Sequence, residues 1–177
     1  MIKNSLFALL IIFIALCYLS FTQTFDVLDL LIHLPLVLSV FITVYYGYDR
    51  GYVFALGSGI ILDIYGSSIF GTYTIAMILP VIVIYSSFRR LFARKSLYSL
   101  IVLMMASTIV YHATVWALTV LYFWFGWREF GAPSLVSLAP GILYQTVTHI
   151  ILVISLFGVF RMVSARFGAQ FRLSPRV

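Results

Sequence analysis

Charged residues divide the chain into long apolar stretches. Residues 4–25, 30–48, 64–88, 96–127 and 130–160 contain no Asp, Glu, Lys or Arg. A helix that crosses the hydrocarbon core of a bilayer needs about 20 mainly apolar residues. Each of these stretches is therefore long enough to predict one membrane-spanning helix.

The region between Arg50 and Arg89 predicts two helices. Its 38 residues contain a single charge, Asp63, and would form a helix of about 57 Å, which is far longer than one crossing. Turn residues lie near its middle, in the Gly-Ser-Ser run at 66–68 and at Gly71. The whole pattern predicts an all-α fold with one integral membrane domain over residues 1–177 and six spans, at about 5–22, 28–46, 51–66, 70–88, 97–124 and 140–160.

Composition supports a membrane protein. Of the 177 residues, 63% are hydrophobic and 9% are charged, whereas an ordinary soluble domain is about 45–50% apolar and about 25% charged. A soluble domain of this size could not bury so much apolar surface, which argues against a soluble enzyme. The single cysteine, Cys17, cannot form an internal disulfide.

Basic residues set the orientation of the predicted spans, because cytoplasmic loops carry an excess of Lys and Arg. With six spans and both termini cytosolic, Arg128 is the one basic residue outside, whereas five spans would divide the basic residues eight to three at best. The ten cytosolic ones are Lys3, Arg50, Arg89, Arg90, Arg94, Lys95, Arg161, Arg166, Arg172 and Arg176. The net charge of +6 therefore needs no nucleic acid. The basic patch Arg89, Arg90, Arg94 and Lys95 favours contact with anionic lipids or with a cytosolic partner.

Asp63 is the main candidate for a functional residue, because an acid inside a membrane span is costly. Ala55, Gly59 and Asp63 recur every four residues and so share one helix face. Small residues on that face allow another helix to approach closely. We interpret the face as a packing seam in which Asp63 hydrogen-bonds a neighbouring helix or the turn at 66–71, so that Asp63→Asn should be nearly neutral. The alternative is that Asp63 handles an ion or a substrate.

Polar residues also occur in the last two predicted spans. His112 lies near mid-depth in the fifth, and Gln145 and His149 lie in the sixth. They could form a buried polar network, with or without Asp63, or be separately satisfied by hydrogen bonds. Their spacing contains no HxxxH or HxxE metal pattern, and no nucleophile accompanies them. We therefore expect no metal, no cofactor and no enzymatic activity. His33, beside Pro35, is expected at the membrane interface.

Aromatic residues suit both membrane interfaces. Tyr122, Trp124 and Trp127 precede the outer loop. Trp and Tyr concentrate at the level of the lipid headgroups, so we interpret these residues as an outer belt. The inner belt comprises Tyr45, Tyr46, Tyr48 and Tyr52.

The segment from Gly59 to Met77 resembles the signature of the MreD family, the rod shape-determining membrane proteins. That signature has a glycine, an aspartate four residues later, a turn of small residues and a further glycine. Here these are Gly59, Asp63, the turn beginning at Gly66, and Gly71. The chain length and the basic patch after this segment are also similar to the family.

The resemblance implies a non-enzymatic scaffold in the inner membrane of a bacterium, where cell-wall elongation is organised. Its expected partner is an MreC-like bitopic protein, which links it to RodA, the partner transpeptidase of RodA and MreB. The implied fold is similar to the substrate-binding subunits of energy-coupling-factor transporters. A small-molecule-binding transporter subunit is therefore the alternative. Such subunits usually carry an AxxxA-like seam in the first helix, whereas Ala8 and Ala15 here are seven residues apart.

Overall fold

The computed structural model describes residues 9, 11–20, 33–66, 68–91, 97–127 and 135–171, and within them the side chains of all but 87–91, 135–138 and 163–171. The described residues form six α-helices and no strand, which confirms the all-α prediction for this part of the chain. The helices are α1 (Ile11–Ser20), α2 (Leu34–Tyr46), α3 (Tyr48–Tyr65), α4 (Thr72–Leu91), α5 (Leu97–Trp124) and α6 (Leu135–Phe171).

Helix boundaries follow local sequence signals. Pro35 lies in the first turn of α2, where its missing N–H costs nothing because that donor would be unpaired in any helix. Gly47 separates α2 from α3 with a φ of +99°, a backbone conformation that residues with a Cβ rarely adopt. The predicted break between Arg50 and Arg89 is present, because α3 ends at Tyr65 and α4 begins at Thr72.

Among the described residues, two helical segments are long and apolar enough on their own to cross a membrane: Leu97–Trp124, which is α5, and Ala139–Met162 within α6. Shorter apolar helical segments are Ile11–Ser20, Leu34–Tyr46 and Thr72–Ser86. α2 has 13 residues and is therefore about 20 Å long, shorter than the hydrocarbon core. The two long segments are compatible with membrane insertion.

α2 lies at the centre of the bundle. It packs against α3, α4, α5 and α6, while α3 and α4 form the most extensive helix pair. Leu36, Val37 and Val40 of α2 are fully buried. The core around them also contains Ala55, Met77, Val81, Leu100, Met104 and Val153.

Large apolar side chains cover much of the outer surface. On α6, Leu143 is 68% exposed and Met162 is 69% exposed. Ile109 on α5 and Ile64 on α3 are also exposed. An ordinary soluble monomer rarely exposes a continuous apolar surface of this kind, whereas lipid tails would cover it at no cost.

Candidate functional site

Asp63 lies in the last turn of α3 and caps the N-terminus of α4. Its Oδ1 accepts a hydrogen bond from the backbone N–H of Tyr73 at 2.8 Å, and its Oδ2 accepts one from the N–H of Thr74 at 3.0 Å. The hydroxyl of Thr74 also donates to Oδ2. These two N–H groups belong to the first turn of α4, where no intrahelical acceptor exists. Asp63 thus supplies the cap from the preceding helix, and the predicted hydrogen bond to a neighbouring helix is present.

Gly59 allows α3 and α4 to approach each other. An added Cβ at Gly59 would lie 2.7 Å from Cα of Thr74 and 3.3 Å from the carbonyl oxygen of Tyr73. Ala55, one turn earlier, is fully buried. The seam formed by Ala55, Gly59 and Asp63 therefore faces α4 of the same chain and is not available to another protein.

The turn between α3 and α4 is held by its own backbone and by α5. The N–H of Gly66 donates to the carbonyl of Leu62 at 2.7 Å. Gly71 has a φ of +97°, which explains why a glycine is needed immediately before α4. The hydroxyl of Thr72 donates to the carbonyl of Ile69 at 2.6 Å, and its oxygen lies 3.3 Å from the hydroxyl oxygen of Tyr122 on α5. The family-motif residues Gly59, Asp63, Gly66 and Gly71 thus form one tight helical hairpin.

A second polar cluster lies between the start of α2 and the middle of α5 and α6. The backbone N–H of His33 donates to Nε2 of His149 at 3.0 Å. Nδ1 of His149 lies 3.0 Å from the hydroxyl of Thr108, which also donates to the carbonyl of Met104 at 2.9 Å. Because Nε2 accepts, the neutral His149 ring carries its proton on Nδ1 and donates it to Thr108. Each donated hydrogen in this series of hydrogen bonds then has one acceptor.

His33 is buried, contrary to the prediction that it lies at the interface. It is 4% exposed, and its Nε2 lies 2.9 Å from the hydroxyl of Tyr111. Its ring also contacts the rings of Tyr18 and Tyr111, with centroids 5.2 and 4.6 Å away. Among the described residues, its Nδ1 is buried without a hydrogen-bond partner.

Helix length explains this error. His149 lies 14 residues after the start of α6, and His112 lies 12 residues before the end of α5. At 1.5 Å per residue, these positions are about 21 and 18 Å from the helix ends. α2 therefore begins deep inside the bundle, because its short length places His33 beside the middle of its neighbours.

The predicted network of His112, Gln145 and His149 is only partly formed. Nε2 of His112 is hydrogen-bonded to Oε1 of Gln145, which joins α5 to α6. His149 is hydrogen-bonded to Thr108 and His33 instead, and the carboxylate of Asp63 accepts hydrogen bonds from the start of α4. Sequence reasoning missed Thr108 and Tyr111. Thr108 lies four residues before His112 and three residues before Tyr111 along α5. That spacing is the signal that could have indicated a shared polar face.

The outer aromatic group divides in two. Tyr122 is 9% exposed and its ring stacks against Trp127 at 6.0 Å. Trp124 is 83% exposed. Tyr122 therefore acts as a packing residue that contacts Thr72, while Trp124 and Trp127 remain on the surface.

Aromatic side chains also cluster where α2 meets α3. Tyr45 stacks on Phe41 at 4.5 Å, and Tyr48 contacts Tyr85 of α4 at 4.6 Å. The guanidinium of Arg50 lies 5.8 Å from the ring centroid of Tyr46. Such a contact is a cation–π interaction, and it holds a positive charge beside the surface tyrosine.

The structure describes only part of the basic patch. Arg89 and Arg90 lie in the last turn of α4, but their side chains are not among those described. Arg94 and Lys95 lie outside the described residues. Within the described part of the chain, no three His, Cys, Asp or Glu side chains are grouped so that they could hold a metal ion.

Comparisons of the chain with protein-family models, with curated proteins and with solved structures gave no significant match.

Proposed function

We propose that this chain is a non-enzymatic membrane scaffold of the MreD type that binds an MreC-like protein during bacterial cell-wall elongation. The observation that carries the proposal is the hairpin of α3 and α4. The segment that resembles the MreD signature uses its aspartate to cap its own second helix, and its Gly59 to bring the two helices together. Both carboxyl oxygens are engaged by the backbone, so the motif serves assembly of the domain rather than delivery of a proton or an ion.

This proposal includes six membrane crossings with both termini in the cytosol. The six helices, the outward-facing apolar side chains and the distribution of basic residues support it. The turn before α4 would then face outward, and the turn between α2 and α3 would face the cytosol.

Cysteine labelling tests the topology. In a Cys17→Ser background, Phe70→Cys reports on the first of these turns and Asp49→Cys on the second; both native residues are exposed. In intact cells, an impermeant maleimide should label Phe70→Cys and should label Asp49→Cys only after permeabilisation. Labelling of Asp49→Cys in intact cells would contradict the six-span topology.

Genetic rescue and co-purification test the scaffold function. The chain should restore rod shape in a bacterium that lacks its MreD-family protein, when it is produced together with the MreC-like protein of its own genome. The same MreC-like protein should co-purify from solubilised membranes, whereas an unrelated membrane protein with the same affinity tag should not retain it. Failure of both experiments at normal abundance would overturn the scaffold proposal.

The basic patch provides a more specific test. Changing Arg89, Arg90, Arg94 and Lys95 together to Gln removes four positive charges, each worth about 1 kcal/mol of attraction to an anionic membrane surface. We expect lower recovery of the partner or a larger fraction of wrongly oriented protein. Arg166, Arg172 and Arg176 changed to Gln serve as the control, because these changes remove three positive charges that lie outside the patch in the sequence. Normal topology with full rescue would show that the patch is dispensable.

One observation favours the second candidate function, a small-molecule-binding subunit of a transporter. Nδ1 of His33 is a buried acceptor or donor without a partner among the described residues, beside the rings of Tyr18 and Tyr111. A small polar ligand could satisfy it. Mass spectrometry of the denatured, purified protein would detect a stoichiometric small molecule, and its loss in His33→Phe would support the transporter function over the scaffold.

A further inference from the structure

The hydrogen bond between His33 and His149 places a neutral histidine under the first turn of the central helix. His33 is the N-cap of α2: its carbonyl accepts from the N–H groups of Leu36 at 3.1 Å and Val37 at 3.2 Å. Its own N–H donates to Nε2 of His149. One of the hydrogen bonds that hold the first turn of α2 thus uses a lone pair of an imidazole on α6.

That lone pair is available only while His149 is neutral. A proton on Nε2 would turn the acceptor into a donor and point it at the N–H of His33. Nδ1 cannot take up the added proton instead, because it already carries a proton that it donates to Thr108. Protonation of His149 and the bond from His33 to His149 therefore exclude each other.

The surroundings of His149 contain no negative charge in the described structure to compensate a proton. The titratable groups that contact the cluster are Tyr18 on α1, His33 at the start of α2, and Tyr111 and His112 on α5. The hydrogen bonds and ring contacts described for the cluster include no titratable group from α3 or α4, which also pack against α2. A buried cation without a counter-charge is costly.

We propose that the His33–His149 bond is a proton-sensitive latch that holds the N-terminus of α2 against α5 and α6. In the closed state His149 is neutral and accepts from His33. In the open state the first turn of α2 separates from α6 and His149 takes up a proton from solvent. No covalent bond changes; one hydrogen bond is exchanged for one bound proton. This inference does not depend on the scaffold function.

The latch predicts a pH-dependent population of the open state. Below the ordinary histidine pKa of about 6.5, each fall of one pH unit should raise the open population by at least about tenfold, because opening then takes up at least the proton of His149. Hydrogen exchange of the full chain in detergent micelles, read by mass spectrometry on peptides covering residues 33–40, measures this population. After correction for intrinsic exchange, protection of the first turn of α2 should fall by at least about tenfold between pH 6 and pH 5.

Two variants separate the latch from general acid unfolding. His149→Gln keeps an amide oxygen as acceptor but cannot take up a proton, so the fall in protection with falling pH should become clearly smaller than in the wild type; the part that remains belongs to His33, which opening also exposes. His112→Gln removes a neighbouring histidine that bonds to Gln145 and not to α2, so the pH dependence should remain. Peptides from the middle of α5 should show no corresponding change.

Two results would overturn the proposal. One is equal protection of residues 33–40 in the wild-type protein at pH 7.5 and pH 5. The other is a fall in His149→Gln as large as in the wild type. The wild-type measurement decides the question alone if the Gln variant does not fold.

Discussion

Replacing Asp63 by Leu should lower the free energy of unfolding by about 2–4 kcal/mol, because it removes three hydrogen bonds and leaves the capped N–H groups unpaired. Interhelical hydrogen bonds in membrane proteins contribute about 0.6–2 kcal/mol each, and loss of an N-cap costs about 0.5–2 kcal/mol. Asp63 is 5% exposed, so water offers little replacement. Unfolding in mixed micelles by increasing SDS provides the measurement.

Asp63→Asn should lower the free energy of unfolding by about 1–2 kcal/mol, which is less than the effect of Asp63→Leu. The sequence alone led us to expect a nearly neutral effect. The structure shows that both carboxyl oxygens accept, from Tyr73 on one side and Thr74 on the other. An amide has one oxygen, and its NH₂ group would face a backbone N–H in either orientation. This geometry therefore replaces the expectation of neutrality with that of a moderate loss of stability.

Asp49 is a matched control for the substitution at Asp63. It lies in the first turn of the same helix and is exposed. Asp49→Leu should cost less than about 1 kcal/mol, since surface substitutions usually lie within about 0.5 kcal/mol of zero. Equal stability of Asp63→Leu and the wild type would show that the cap contributes nothing. An Asn variant that is stable and abundant but inactive would contradict the scaffold proposal and favour transport.

The second large effect is expected at Gly59. Gly59→Ala should destabilise the protein by about 1–3 kcal/mol, and Gly59→Leu by more, because overpacking forces the backbone to shift. The contact that a Cβ would meet is the backbone of Thr74, at 2.7 Å, which cannot move as a flexible side chain can. The same SDS unfolding assay applies.

Gly158→Ala should instead raise the free energy of unfolding. Gly158 lies within α6, and nothing lies within 4 Å of an added Cβ. Alanine in a helix interior is more favourable than glycine by about 0.5–1 kcal/mol. If Gly158→Ala lowered the free energy of unfolding as much as Gly59→Ala, the effect at Gly59 would not be caused by the approach of α4.

A double-mutant cycle connects the two predictions. Gly59→Ala displaces Thr74, whose N–H and hydroxyl both bind Asp63. The double variant should therefore lose less stability than the sum of the losses in Gly59→Ala and Asp63→Leu. The difference, which is the coupling energy, should be at least about 0.5 kcal/mol, as is usual for residues that share a contact. Strict additivity would mean that Gly59 and Asp63 act independently.

The sequence predicted which residues share a face but not which atoms meet. Charge spacing and turn residues were enough to place the break between α3 and α4, because these signals are local. The four-residue repeat of Ala55, Gly59 and Asp63 correctly indicated a packing seam. The partner of Asp63 depends on the left-handed backbone at Gly71, which directs the first turn of α4 back to α3. That direction is a property of the folded turn and has no counterpart in hydropathy.

The burial of His33 is a second feature that the sequence could not predict. Residues 30–48 are uniformly uncharged, so hydropathy cannot tell where within them a helix begins. Packing of the short α2 against the middle of α5 and α6 decides it. The pairing of His149 with Thr108 and His33 follows from that depth. Spacing along α6 alone grouped His149 with Gln145, because residues four apart lie on one face.

In the proposed six-span topology, the cap on α4 also bears on how the chain would enter the membrane during synthesis. Asp63 and the two residues whose N–H groups donate to it are separated by ten and eleven residues, so the hairpin of α3 and α4 can close before α5 has left the ribosome. Domains form from the N-terminal side as the chain emerges, and contacts close in sequence form quickly. In that topology Asp63 would enter the bilayer with its hydrogen bonds already made, and the translocation machinery would receive α3 and α4 as one unit rather than as two separate segments.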